Sequence, residues 1–157
     1  MKITLLLTGQ TKKGFIEEGI GIYEQRIKHY VPFRIVELAE PKKSGKPNES
    51  AIKEKEGEQI LKHLSQDDDV ILLDERGKML SSEEMADFIK KKSLGSVKNL
   101  VFITGGAYGF SQSVYDRANT LLALSKMTFS HQVIRIIFLE QLYRAFTIIR
   151  NEPYHHG

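Results

Sequence analysis

Four short stretches of the chain, residues 3–7, 35–38, 70–73 and 100–103, run mostly apolar instead of alternating with polar positions. A strand with one face in water alternates, whereas a strand covered on both faces does not, and two-sided cover is the normal state of a parallel sheet. A further apolar run at 121–124 is a candidate fifth strand. Helical patterns lie between the runs. Ile16, Ile20, Tyr23, Ile27 and Tyr30 recur at steps of four and three; Ile52, Ile60, Leu61 and Leu64 make a thinner stripe on a charged segment. Ser81 and Glu84 form a capping box ahead of Met85, Phe88 and Ile89. Residues 132–150 are apolar on more than one side, which predicts a long helix whose surplus face is covered by a second copy of the chain. Strands alternating with helices predict an α/β domain with a mostly parallel sheet flanked by helices, and 157 residues are enough for one domain spanning 1–157.

Composition removes several function classes. The chain has no cysteine, which excludes disulfides, thiolate metal sites and cysteine nucleophiles. Neither a signal peptide nor a run of about 18 apolar residues is present, so a soluble, cytoplasmic protein with no membrane association is expected. Lys and Arg number 23 against 20 Asp and Glu, a net charge of +3 that is compatible with a polyanionic partner without requiring one. Two prolines and a glycine break the basic stretch 41–50, "PKKSGKPNES", predicted as an exposed mobile loop.

In a parallel α/β sheet, ligands collect beyond the carboxyl ends of the strands. Three segments are predicted there: "DERGK" at 74–78, "GGAYGF" at 105–110 and "LSKMTFSHQ" at 124–132. Gly105 and Gly106 either let a ligand approach the main chain or make a tight strand-to-helix turn in which Ser111 caps the next helix. The spacing is neither GxGxxG nor a Walker loop. Asp74, Glu75 and Arg76 read as general acid or metal ligands, or as a solvated turn closed by Gly77, and Asp67 to Asp69 read as a solvated turn. His155 and His156 are adjacent, which rarely aims both at one ion, and no metal site is expected. Ser125 and Ser130 lack the setting of a hydrolase nucleophile. The tail "RNEPYHHG" carries the residue types that bind phosphates and stack on bases.

Taken together, "KEGEQIL" at 55–61, "LLDERGK", "ITGGAYGF", "LSKMTFSHQVIR", "EQLYRAF" and "NEPYHH", in this order and spacing, resemble the SPOUT methyltransferases. Within them the likeness is strongest to the branch that methylates N3 of a pseudouridine in 23S rRNA. The resemblance covers the whole chain. It implies a C-terminal trefoil knot, a homodimer, and S-adenosylmethionine held largely by main-chain contacts at Leu73, Gly105, Leu124, Ser125, Lys126, Met127, Thr128 and Phe129. By the same likeness the glycines make room for an adenosyl group. The family pattern has proline where Ser130 stands, a departure that would loosen the third loop.

The chemistry asks for a cation that stabilises the anion developing on a uracil-like ring, and for groups that place the base. Arg144 is assigned the first task, alone or with His155, and Tyr154 with His155 the second. His131 is assigned a structural role. The implied target is a hairpin loop of 23S rRNA within the 70S ribosome, approached by a basic rim of Lys42, Lys43, Lys46, Arg144 and Arg150. The alternatives are a SPOUT enzyme of another rRNA or tRNA position, a non-catalytic RNA-binding or ribosome-assembly protein, and a nucleotide-binding regulator.

Overall fold

The computed structural model describes residues 1–42, 45–46 and 48–157. Lys43 of the predicted rim, and part of the stretch predicted as mobile, lie outside the described residues. The elements run β1 Lys2–Thr8, α1 Phe15–Lys28, β2 Phe33–Leu38, α2 Glu49–Lys62, β3 Asp69–Met79, α3 Ser82–Leu94, β4 Asn99–Thr104, α4 Gln112–Arg117, β5 Thr120–Ala123 and α5 Val133–Ile149. All five strands pair in parallel, in the order β2-β1-β4-β3-β5.

The uninterrupted apolar runs are explained by cover on both sides. Leu5, Leu7, Ile71, Leu100 and Phe102 face a core completed by α1, α3 and α5. Their neighbours Leu6, Val70, Leu72, Val101 and Ile103 face the opposite layer with Ile60 of α2 and Val114 of α4. Each such side chain, fully withdrawn from water, contributes about 1.5–3 kcal/mol. At the middle of the larger core Phe102 meets Phe138 of α5 with ring centroids 4.8 Å apart. Helix α5 is apolar on several sides because it shares one core with α1, α3 and the sheet, so part of the surface predicted to need a second copy is covered within the chain.

Local chemistry sets the helix starts. Ser81 and Glu84 form the capping box, with Glu84 N donating to Ser81 Oγ at 3.1 Å and Ser81 N to the Glu84 carboxylate at 2.8 Å. Asn48 caps α2, accepting from Ser50 N and Ala51 N. Ser111 occupies the N-cap position of α4, but its hydroxyl makes no cap bond and pairs with Ser113 Oγ instead. The acidic turn before β3 is not simply solvated: Asp68 is buried and accepts from Ser65 N and Asn99 Nδ2, and Asp69 pairs with Lys92 at 2.6 Å.

Strand β3 differs most from expectation. Rather than ending at residue 73 in a turn, it pairs with β5 through Leu73↔Leu122, loops out over residues 74–77, and resumes at Lys78↔Leu122 and Met79↔Ala123. Gly77 falls back flat on β5, where a Cβ would lie 2.5 Å from backbone atoms of Leu121 and Leu122. Backbone cannot yield as a side chain tip does. Gly77→Ala is therefore expected to lower the unfolding free energy by about 3 kcal/mol, read from the denaturant midpoint. Gly21→Ala, on α1 with open space around its Cβ position, is expected to raise it by roughly 0.5–1 kcal/mol.

Candidate functional site

The carboxyl ends of β3, β4 and β5 open into a cavity of about 600 Å³. Its wall includes Leu73, Gly105, Leu124, Ser125, Met127, Thr128 and Phe129, together with Asp74, Glu75 and Arg76 after the first half of β3. Of the residues expected to hold a ligand, Lys126 alone is absent from the wall, and its side chain is exposed. Met127 and Phe129 stand 77% and 39% exposed, so the third loop offers apolar surface at the rim.

The glycines are crowded from beneath as well as bordering the cavity. A Cβ on Gly106 would land 2.6 Å from a carboxylate oxygen of Glu56, and one on Gly105 would meet the Phe110 ring at 3.3 Å. Gly109 has φ of +79° and closes the turn, its N–H donating to Gly106 O. Protein groups thus fill the inner side of this backbone, and its outer side forms the cavity wall.

Asp74 is fixed from two directions, accepting from the Tyr115 hydroxyl and, at 2.8 Å, from Arg76 N; the Arg76 guanidinium lies over the Tyr115 ring. Burial, reinforced by Asp74, pushes the Tyr115 hydroxyl up to about 12. Among the described residues no group of three or more His, Asp or Glu is placed to hold a metal ion.

The third loop is tied to the first strand by Arg135, which the sequence analysis did not single out. This guanidinium is fully buried and donates to the carbonyls of His131, Thr8 and Gly9 and to Thr11 Oγ1, all within 3.0 Å. Gln132 adds two bonds to the segment after β1, to Lys12 N and Gln10 O. A lone charge inside the apolar run "VIRIIF" was the available signal. Burial, then Arg135 and Lys12, lower the pKa of His131, which keeps it neutral at physiological pH. Ser130 does not leave the loop untied: its hydroxyl accepts from Val133 N at 3.1 Å.

Arg144, Tyr154 and His155 come together, but away from this cavity. Arg144 is held by Glu140 through Nε at 3.1 Å and Nη2 at 2.5 Å, lies over the Tyr154 ring at 4.7 Å, and donates to His155 Nδ1 at 3.3 Å. Tyr154 donates to Glu140, and His155 Nε2 donates to Glu83 at 2.7 Å. Both imidazole nitrogens are thereby engaged. Glu140 and Glu83 were missed, although Glu140 stands four residues before Arg144, the spacing of a helical ion pair. From Ile134, which lines the cavity, to Arg144 is about 15 Å along α5.

Burial first and then the Glu140 bond push Tyr154 up to about 12, as burial and Glu152 do for Tyr30. A raised phenol pKa means the fold favours the neutral form, an advantage intact below about 10 and lost as pH climbs towards 12. Following phenolate absorbance against pH should show Tyr30, Tyr115 and Tyr154 ionising near pH 12, with Glu140→Gln bringing one of the three, Tyr154, down.

A family profile described as "Predicted SPOUT methyltransferase" matches residues 1–155. The chain is 49% identical over 156 residues to a protein of Christiangramia forsetii named Ribosomal RNA large subunit methyltransferase H, covering 99% of both. Its counterpart in Syntrophotalea carbinolica, of the same name, is 47% identical over 155 residues, again 99% of each chain. Among solved structures, a probable methylase family protein of Haemophilus influenzae superposes with a TM-score of 0.51 at 15% identity, over 95% of this chain and 66% of that one. A putative methyltransferase of Legionella pneumophila in complex with bound SAM gives 0.51 at 14%, over 92% and 66%. These two show likeness of fold. By the profile and by near-half identity along its whole length, the chain belongs to the SPOUT methyltransferase family.

Proposed function

We propose that the chain transfers the methyl group of S-adenosylmethionine to N3 of a pseudouridine in a 23S rRNA hairpin loop, acting on the assembled 70S ribosome in the cytoplasm as a homodimer. The observation that carries this is the 49% identity, covering 99% of each chain, to a relative named for methylation of large-subunit ribosomal RNA.

The cavity suits such a donor. Its volume of about 600 Å³ lies in the range of small-ligand sites. Ala107 and Tyr108 in the glycine loop leave their N–H groups without a backbone partner among the described residues. The apolar surfaces of Met127 and Phe129 suit the face of an adenine, and the carboxylates of Asp74 and Glu75 in the wall suit a sulfonium cation. Leu73, Gly105, Leu124, Ser125, Met127, Thr128 and Phe129 would hold it, with Lys126 at the outer edge. When bound, S-adenosylmethionine supplies a methyl group already activated by the sulfonium. The protein's own tasks are alignment and management of charge.

We assign Arg144 to stabilising the negative charge that develops on the uracil ring as N3 loses its proton. Glu140 holds that guanidinium in one pose and keeps it charged. Tyr154, its single hydroxyl proton given to Glu140, orients the base with its phenol oxygen as a hydrogen-bond acceptor. His155 orients Arg144 rather than accepting the proton, since both its nitrogens are engaged; the proton passes to water. Because the cluster stands about 15 Å along α5 from the cavity, Arg144 and the tail of one copy serve the cavity of the other. The exposed Lys42, Lys46 and Arg150 belong, with Arg144, to a basic rim for RNA phosphates. The embrace of β5 by residues 74–79 of β3 supports a trefoil knot, one of the rare exceptions to unthreaded chains.

The decisive assay is tritium transfer from labelled S-adenosylmethionine to 70S particles with and without the target pseudouridine. Label entering only the pseudouridine-containing particles is expected; intact donor binding without transfer to either would leave an RNA-binding protein. Arg144→Ala should cut turnover by about 10²–10³-fold while leaving affinity for S-adenosylhomocysteine within about twofold, and equal losses in both would point to a structural role. Removing residues 154–157 should leave a folded dimer that binds the donor and turns nothing over.

A further inference from the structure

Glu56 sits on the buried side of α2, 9% exposed, directly below the glycine loop. Its Oε2 has no hydrogen-bond partner, and no salt bridge reaches it among the described residues. The space that a side chain on Gly106 would need is taken by both carboxylate oxygens, at 2.6 and 2.7 Å from the Cβ position. Helix α2 packs closely here, the next residue, Gly57, lying where a Cβ would overlap Ser111 Oγ and meet Val114 of the adjoining layer at 3.4 Å. Burial, then the negative charge of Glu40, raise the pKa of the carboxyl. A buried carboxyl oxygen left unpaired costs free energy, and it lies beside a loop whose Ala107 and Tyr108 N–H groups make no backbone bond.

We propose that Glu56 is a positioning residue for methyl transfer: its carboxyl is the seat on which Gly106 rests, and it sets the height of the glycine loop against the methyl donor. The loop is one backbone thick at this point. The donor presses on its outer surface and Glu56 supports its inner one, so the unpaired oxygen finds its partner in a loop N–H when the outer surface is occupied. This role explains why residue 106 is glycine. A side chain there would either push the Glu56 carboxyl from beneath the loop or lift the loop off it. Glu56 touches neither donor nor RNA, and it acts through the loop alone.

The inference rests on the donor-binding reading of the cavity, and the experiment separates the two. Binding of S-adenosylhomocysteine to the full-length protein is measured by calorimetry, with the melting temperature recorded for each variant. Glu56→Gln, which keeps an oxygen acceptor and the shape, should bind within about threefold of wild type. Glu56→Leu should melt near the wild-type temperature, because an apolar group replaces an unpaired buried one, yet bind at least about tenfold more weakly. In turnover, Glu56→Leu should raise the KM for the donor and leave kcat at saturating donor within about twofold, a split that general loosening would not produce. Gly106→Ala should weaken binding in the wild-type background and add nothing in the Glu56→Ala background, where its methyl group has room. Wild-type affinity in Glu56→Leu overturns the role of Glu56, and so does an equal effect of Gly106→Ala in both backgrounds. Should Glu56→Leu not fold, the Gly106→Ala comparison decides alone. Failure of the wild-type protein to bind at all brings down the donor reading itself, and this inference with it.

Discussion

Gly77 resting on the backbone of β5 is the contact on which the site depends. Strand β5 has only four residues and sits at the edge of the sheet, with β3 as its one neighbour among the described residues. A four-residue edge strand held by one ladder is weak on its own. Here β3 grips it twice, before and after the looped-out residues 74–77, and Leu122 pairs with both Leu73 and Lys78. The grip closes because residue 77 has no side chain. Its consequence is spatial: the first loop, with Asp74 to Arg76, is pinned over the exit of β5, from which the third loop departs.

Arg135 does the corresponding work on the far side of the third loop. A buried guanidinium without a carboxylate partner is costly unless its donors are satisfied. Four bonds from one side chain reach three carbonyls and a hydroxyl, and Thr11 passes a further bond to Glu37 at 2.5 Å. The loop that bears Ser125, Met127, Thr128 and Phe129 is thus anchored at β5 on one end and through Arg135 and Gln132 to the end of β1 on the other. Between the anchors it stays open, and its apolar side chains face outward.

The two clusters of polar and cavity-lining residues lie towards opposite ends of α5. Its first turn contributes Ile134 to the cavity; its later turns carry Glu140 and Arg144, bound into a chain of contacts with Tyr154, His155 and Glu83. Helix geometry keeps those groups apart within one chain. The second copy proposed above would bring both ends to one substrate.

Much of the fold was legible because periodicity is a local property. The apolar runs at 3–7, 70–73 and 100–103 became strands covered on both faces, the run at 35–38 became the half-covered edge strand β2, the steps of three and four became α1, and Ser81 with Glu84 became the cap of α3. Motif order carried the family, and it pointed to the loops that line the cavity. What the sequence could not disclose were relations between distant segments. Nothing in "DERGK" says that β3 continues past it, because the partner that extends the strand, Leu122, lies more than forty residues away. Nothing in "KEGEQIL" says that Glu56 lies under Gly106, or in "VIRIIF" that Arg135 reaches Thr8. Local sequence determined which segments are strands and helices and which residue types stand at their ends. The tertiary packing alone decided which buried polar groups find partners, which glycines admit no side chain, and which groups with chemistry to offer meet, since each of these is settled by contacts that sequence spacing does not encode.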